Sequence, residues 1–455
     1  MQVTVNPRHA AFLTLLRIEK ERSYADILID QELTKGQLTG ADRGLYTELV
    51  YGTLRKKGNL DYILGRFSKT QPAKLERAVI ILLRLGLYQI FCLDRVPVSA
   101  AVNETVNLAK ILAPKAAGFI NAVLRSADRG RDSITYPHPG SDAIGYLAAR
   151  YSHPAWMVAE WLEQLGFAEA EALAAAFSAP PPFTVRVNRL KSDRDTLTAQ
   201  LKCEGVTAIP CRFAPDALQL TSSISLSRLA SFTDGLFTVQ DEASQLATLL
   251  LAPAPGDDIL DLCAAPGGKT TYLAELTEDR AAITACDLHP RKLELIRTTA
   301  ARLGIKTVTT KALDATKSLA PLLPKCFDRI LVDAPCSGLG VIHRNPEGKW
   351  WKEPSDPPRL AVIQTAILAS AAERLKPGGV LLYSTCSTST TEDEMVVTDF
   401  LSGHADFMIE PVSSVLPQAA AMETAQGFLR SWPHRHGMDG FFAARLRRKT
   451  TGVTL

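Results

Sequence analysis

Two cysteines stand where short apolar runs give way to polar turns: Cys336 in "ILVDAPCSGLG" and Cys386 in "VLLYSTCSTS", fifty residues apart. Free cysteine is usually a small buried hydrophobe, and one such residue would require no explanation beyond packing. Two of them, each closing a strand-like run and one following an acid, Asp333, pose a chemical question. The thiolate is the reactive form, and lowering a thiol from its usual pKa of about 8.5 needs a local positive field. Lys269 or a helix N-terminus could supply that field to either cysteine, so chemistry alone does not rank them.

Upstream, "ILDLCAAPGGKTTYLAEL" reads as strand, glycine-bearing loop and helix, the first βα turn of a nucleotide-type fold. Glycines there let backbone approach a ligand, and the helix N-terminus offers free N–H groups. A phosphate loop needs glycine five positions before the Gly-Lys pair, where Cys263 stands, and the dinucleotide pattern fails because the loop reads A-A-P-G-G-K. There remains a ligand with an adenosine and no pyrophosphate, foremost S-adenosylmethionine, held by Cys263, Ala264, Ala265, Pro266, Gly267, Gly268 and Lys269. A purely structural tight turn is the alternative. Asp287 closes the next strand, where an acid takes ribose hydroxyls, and Asp314 follows the third, within reach of an adenine edge. Either acid alone is more often a helix cap or turn residue.

A thiol beside a methyl donor suits one chemistry. Carbon 5 of cytosine is a poor nucleophile until a thiolate adds to C6 and makes C5 enamine-like, while an acid near N3 stabilises the developing charge. An exocyclic-amine methyltransferase is expected to carry an aromatic D/N-P-P-Y/F turn where this chain reads D-A-P-C, so methylation of carbon is expected rather than of nitrogen.

These residues need a scaffold. From about residue 238, short apolar strands alternate with helices, which predicts a parallel, doubly wound sheet over 238–450 that sets Asp333, Cys336 and Cys386 on one rim. The first 135 residues show apolar positions at three- to four-residue spacing and predict an all-helical domain, with Thr39 as one helix cap. Between them, 143–237 reads as linker helices followed by a small α+β segment. A chain of 455 residues is too long for one core, and 46% hydrophobic with 22% charged residues is the composition of a soluble globular protein. The apolar run "AVIILLRLGLYQIFCL" carries Arg84 in its middle, which favours a core helix over a membrane span. Eight cysteines with no CxxC pair or Cys/His cluster argue against a disulfide framework and against a metal site, and a reducing, cytoplasmic compartment is expected. Residues 1–140 hold 20 Lys and Arg against 13 Asp and Glu, while the remainder is nearly balanced. A basic first third suits a polyanion, though a solvated helical face gives the same count.

The motifs "DLCAAPGGKT", "VDAPCSGLGVIHRNPEGKW", "YSTCS" and "HRHGMDGFFAARL" resemble the Nol/Nop/Sun family of RNA 5-methylcytosine methyltransferases. The segments "ADRGLYTELVYGTLR" and "VPVSAAVNETVNLAK" resemble the NusB-type helical RNA-binding domain of one bacterial branch, the ribosomal RNA methyltransferase B type. The likeness covers nearly the whole chain. It implies a Rossmann-like class I methyltransferase domain behind a NusB-like domain, acting on a cytidine of 16S ribosomal RNA, free or in a partly assembled small subunit; nothing in the sequence demands more than a monomer. It further implies Cys386 as nucleophile, Cys336 in product release and Asp333 at the cytosine, with Asp287, Asp314 and the loop from Cys263 to Lys269 holding S-adenosylmethionine. Two departures stand out: Leu313 where the family often has glycine before the third acid, and "TTEDE" where it often has P-E-E-N.

Alternatives remain for these and neighbouring features. The same chemistry on transfer RNA is one, and a non-catalytic NusB-like assembly factor is another. Trp350 and Trp351 could stack on RNA bases or form a hydrophobic lid, and His343 and Arg344 could bind phosphate or lie in a solvated loop. "HGMDGFF" reads as the last hairpin of the sheet, and "RLRRKT" as a solvated tail.

Overall fold

The computed structural model describes residues 6–221 and 226–450. The chain forms two compact units, Met1–Pro180 with Ile342–Pro354, and Pro181–Val341 with Ser355–Leu455.

The first unit is helical. Its opening helix, Pro7–Glu21, starts with proline at the first position, and the Asn6 side chain accepts from Arg8 N at 2.9 Å. The long helix Ala41–Phe67 is preceded by Gly40 with no side-chain cap, so Thr39 does not act as one. Helix Arg77–Cys92 runs through the core, and its Arg84 is buried yet paired with Asp61 at 2.7 and 2.8 Å and Glu19 at 2.5 Å. That pairing makes a charge tolerable in so apolar a segment. Further helices, Val98–Leu112, Ala117–Arg129, Ala143–Tyr151, Ala155–Leu165 and Phe167–Phe177, complete the unit.

Residues 342–354 pack within this helical unit. Glu347 Oε1 accepts from Ala25 N at 2.9 Å, capping helix Ala25–Thr34, and Lys349 Nζ donates to Arg55 O at 3.2 Å. The Trp350 ring occupies the space over Gly58, where a Cβ would come within 2.6 Å of it, and Trp351 meets Tyr24 edge-on at 5.9 Å. His343 is buried 5.4 Å from the Phe177 ring, so it does not lie in a solvated loop. Sequence reading missed this packing because the segment's partners lie some 300 positions upstream.

The second unit holds two sheets. In the smaller, β1 (Phe183–Val187), β2 (Ala208–Pro210), β3 (Ala217–Leu220) and β4 (Phe237–Val239) are antiparallel in the order β2-β3-β1-β4, and Leu197 and Leu201 of helix Arg194–Cys203 join their apolar core. The larger contains β5 (Asp258–Leu262), β6 (Ala282–Asp287), β7 (Val308–Ala312), β8 (Phe327–Asp333), β9 (Leu375–Thr385), β10 (Phe407–Ile409), β11 (Leu429–Ser431) and β12 (Phe441–Arg448). Its order is β10-β12-β9-β8-β5-β6-β7, with β11 paired to β12. Strands β7 to β9 along this order are parallel, as the alternation predicts, but β12 inserts antiparallel between β9 and β10. The sheet is therefore mixed, a common arrangement in large doubly wound sheets.

Successive strand residues face opposite ways. Ile259, Leu331, Leu382 and Ala443 pack under helices Glu242–Leu250, Gly268–Leu276 and Pro290–Leu303, whereas Leu260, Ile330, Leu381 and Phe442 pack under Asp356–Ala372 and Glu394–Gly403. The expected solvated tail is strand instead: Arg445 is buried and donates to Leu250 O and Leu251 O, and Arg447 and Arg448 pair with Glu410 and Asp406. These pairings let a cationic run close a sheet. Among the described residues, no helix is long and apolar enough to cross a membrane.

Candidate active site

Strand β5 lies between β6 and β8, so the chain leaves it to one side and returns on the other. In open α/β sheets this switch point opens a crevice beyond the carboxyl ends of the strands. The loop from Cys263 to Lys269 starts there. Cys263 takes the left-handed conformation at φ 61°, Ala264 N donates to Cys286 O at 2.8 Å, and Gly267 N returns to Ala264 O at 2.8 Å. Gly267 has φ 102°, and a Cβ there would press on Ile296 at 3.2 Å, so only glycine fits the turn. Helix Gly268–Leu276 then begins with its free N–H groups at the rim.

Asp261, two residues before the loop, is buried with one oxygen accepting from Thr270 Oγ1 at 2.5 Å. Burial is the main force raising its carboxyl to about 7, and Asp333 adds to it. Cys263 is likewise pushed up, first by burial and then by Asp333 and Asp287, so its thiol stays neutral. Asp287 ends β6 and accepts from His289 N at 2.9 Å and Ala265 N at 3.4 Å, which ties the acid to the loop. Asp314, beyond the end of β7, accepts from Thr316 N at 3.1 Å and Thr316 Oγ1 at 2.6 Å. These bonds hold its carboxyl below the usual range. Leu313 before it is buried, and its backbone N donates to Asp287 O at 3.1 Å, a bond that keeps the turn close to β6.

A residue that sequence reading missed secures the loop from behind. Arg186 of β1 is fully buried and donates to Glu275 at 2.7 and 3.1 Å, to Gly268 O at 2.7 Å, to Thr271 Oγ1 at 3.1 Å and to Gln240. Its guanidinium lies 4.6 Å from the Tyr272 ring centre. All five partners lie outside the small sheet that carries it, so "FTVRV" signalled only a strand whose alternation puts an arginine inward. The planar fork of the guanidinium explains why one side chain serves so many acceptors.

Next to the loop, Lys269 Nζ lies 2.6 Å from Asp333 Oδ2, and Ser384 Oγ donates to Asp333 Oδ1 at 2.9 Å. The lysine charge therefore serves the acid and not a thiol. Parallel pairing sets Asp333 opposite Ser384, and the two following turns bring Cys336 Sγ within 3.3 Å of Cys386 Sγ. The bond to Cys386, together with burial, pushes the Cys336 thiol well up, and either sulfur can be the donor in their contact. The structure thus brings Asp333, Cys336, Cys386, Lys269, the glycine loop and Asp287 to one rim, with Asp314 on the outer strand end.

The strand formed by "FFAARLRR" also reaches this rim. Gly340 N donates to Cys386 O at 2.9 Å, and Gly440 N donates to Gly340 O at 2.9 Å. A Cβ on Gly340 would lie 1.9 Å from Gly440 O and 2.9 Å from Cys386 O. Two backbones touch here, which is why the PCSGLG turn ends in glycine.

Known proteins match the chain in all its parts. Residues 248–447 match the family model "16S rRNA methyltransferase RsmB/F", residues 5–129 the NusB family, and residues 153–227 the ferredoxin-like domain of "Methyltr_RsmF/B-like" proteins. "Probable ribosomal RNA small subunit methyltransferase B" of Bacillus subtilis is 40% identical over 97% of this chain and 98% of its own length, and the protein of that name from Synechocystis is 36% identical over 98% and 100%. A solved structure described as NSun6 from Pyrococcus horikoshii with SFG superposes with a TM-score of 0.57 at 25% identity, covering 65% of this chain and 98% of that one. With a helical NusB domain, a ferredoxin-like middle and a Rossmann-like sheet that ends in two facing thiols, the chain belongs to the ribosomal RNA small subunit methyltransferase B family.

Proposed function

We propose that this protein methylates carbon 5 of a cytidine in 16S ribosomal RNA, using S-adenosylmethionine and a covalent bond between Cys386 and C6 of the base. The observation that carries this reading is the convergence of Asp333, Cys336 and Cys386 beside the loop, with the two sulfurs 3.3 Å apart. A single thiol would suit many sites; two thiols facing one another suit addition followed by elimination.

The residues fit the methyl donor. The Gly267 turn, at φ 102°, starts the loop helix, whose N-terminus offers N–H groups without the glycine spacing a pyrophosphate needs. Cys263 to Lys269 would hold the methionine side, and Asp287 and Asp314 the ribose and adenine. When bound, S-adenosylmethionine supplies the methyl group as an electrophile. The similar solved structure described as being with SFG supports a bound ligand of this kind.

The chain's own groups do the rest. An RNA base enters the pocket flipped from its stack. Cys386 attacks C6 as thiolate, while a proton held between Asp333 and the N3 edge neutralises the negative charge that the addition builds on the ring. Lys269 and Ser384 hold the Asp333 carboxylate in place. Once C5 has gained its methyl group, water takes the C5 proton, that electron pair re-forms the C5–C6 double bond, and the Cys386 sulfur leaves C6 as thiolate, an elimination that Cys336 assists. The NusB-like helices, with the basic first third of the chain, are read as the module that recruits the RNA.

The test uses purified protein, labelled S-adenosylmethionine and unmodified 16S ribosomal RNA, with bisulfite mapping of the product. Cys386→Ser should abolish methylation and adduct, whereas Cys336→Ala should accumulate a covalent RNA–protein complex. Turnover by Cys386→Ser would refute the assignment.

A further inference from the structure

The segment after the Cys386 turn departs from the family's usual wording, and its first acid is fully buried. Glu392 accepts from Ser337 N at 2.7 Å, from Ser337 Oγ, from Ser387 Oγ at 2.6 Å and from Gln364 Nε2 at 3.1 Å. Ser337 directly follows Cys336 and Ser387 directly follows Cys386, and their hydroxyls lie 3.2 Å apart. Gln364 Nε2 also donates to Pro335 O at 3.0 Å, on the other side of Cys336, and the Tyr383 hydroxyl donates to Glu392 O at 2.5 Å. Thr385, immediately before Cys386, donates through its hydroxyl to the buried Asp393, which Arg430 meets at 2.9 Å. Residues before and after both cysteines are thus fastened to two consecutive buried acids.

We infer that Glu392 is a positioning residue that sets the distance and aim of the Cys336 and Cys386 sulfurs. The two thiols sit on turns at the ends of separate strands, β8 and β9, and strand pairing stops at Asp333 and Ser384. Beyond that point the turns share few direct backbone bonds, among them Gly340 N to Cys386 O. Glu392 supplies the side-chain link: one carboxylate, both of whose oxygens act as acceptors, holds both turns. A buried acid with this many donors is costly to isolate from water and rigid once satisfied, which suits a fixed geometry. Glutamine keeps the shape and one acceptor, and its N–H₂ can donate to a serine oxygen, so it preserves part of the link; alanine removes all of it.

The inference rests on the thiol chemistry proposed above, and its test separates the two. Dibromobimane bridges only thiols that lie close together, and peptide mass spectrometry locates the bridge between Cys336 and Cys386 without reference to catalysis. In the full-length protein, Glu392→Ala should slow that bridging at least about tenfold and lower kcat about a hundredfold, the scale expected for a misplacement of about 1 Å, with KM for both substrates within about twofold. Glu392→Gln should recover most of both. The double variant Ser337→Ala, Ser387→Ala removes the two hydroxyl links while leaving the carboxylate, and should fall between wild type and Glu392→Ala if the latter folds poorly. Unchanged bridging and kcat in Glu392→Ala, or a loss of S-adenosylmethionine affinity in step with kcat, would overturn the inference. Bridging that depends on Glu392 in a protein that does not methylate RNA would uphold it and refute the proposed reaction.

Discussion

Cys336 Sγ faces Cys386 Sγ at 3.3 Å from the neighbouring strand end. A disulfide has sulfurs about 2.05 Å apart, so a modest rotation of the side chains would close this gap. The pair should therefore be oxidised by a hydroperoxide. One thiolate attacks the peroxide oxygen, releasing water or an alcohol and leaving a sulfenic acid; the other thiol displaces that hydroxyl as water. After peroxide treatment, mass spectrometry should find a peptide joining Cys336 to Cys386 and a loss of about two mass units. Methyl transfer should be lost with it and return with dithiothreitol. Recovery of only unlinked peptides from inactivated enzyme would exclude this.

The contact of Gly340 with Gly440 predicts an unusually severe Gly→Ala effect. A methyl group on Gly340 has no room, since the Gly440 carbonyl stands 1.9 Å from its position. Gly340→Ala should destabilise the protein by about 1–3 kcal/mol or more through overpacking, and pull the PCSGLG turn off the Cys386 carbonyl. Gly118→Ala is the control, because it lies in a helix with nothing within 4 Å of the added carbon, and should be neutral or stabilising by about 0.5–1 kcal/mol. Equal thermal stabilities for the two variants would contradict the close approach.

Asp261 predicts a pH dependence of stability. Burial raises its carboxyl to about 7, whereas an unfolded aspartate titrates at about 3.9. Between those values the folded state carries one more proton than the unfolded state, so the group's contribution is full below about pH 4 and is lost as pH rises through about 7. Asparagine keeps an acceptor for Thr270 and does not titrate. The unfolding free energy of Asp261→Asn relative to wild type should therefore rise between about pH 5 and pH 7, by up to about 1.4 kcal/mol per pH unit, and level off above. A constant difference across that range would show that Asp261 is ionised throughout.

Arg186 predicts that the small sheet controls the cofactor loop. Replacing it with alanine leaves Glu275 buried without its cation, a loss of about 3–5 kcal/mol for such pairs. Because Arg186 also holds Gly268 O and Thr271 at the start of the loop helix, S-adenosylmethionine affinity should fall as well. Calorimetric titration of Arg186→Lys, which keeps the charge and loses the fork, should show weaker binding with a smaller stability loss. Wild-type affinity in a destabilised Arg186→Ala would confine the residue to folding.

The chemistry of the rim was largely legible in the chain. The D-A-P-C and Y-S-T-C turns, the glycine loop that cannot be a phosphate loop, and the strand–helix alternation are local patterns, and local patterns carry secondary structure and motif type. The antiparallel entry of β12 was not legible, because strand direction depends on where a connection lands in space. The tryptophans of "GKWWKEP" read either as base-stacking aromatics or as a hydrophobic lid, yet they pack in the helical unit against residues from the far end of the sequence. The cationic ending read as tail because its counter-charges, Glu410 and Asp406, belong to another strand and its approach.

By itself, then, the sequence determined which groups are available: two free thiols, an acid before one of them, a glycine loop and a basic helical segment. Tertiary structure decided how those groups are partnered. It gave Lys269 to Asp333 and not to a thiol, set the sulfurs 3.3 Å apart, and fastened both turns to Glu392. The physical reason is that charge and hydrogen bonding act across a few ångströms of space, whereas Lys269 and Asp333 stand 64 positions apart in the chain.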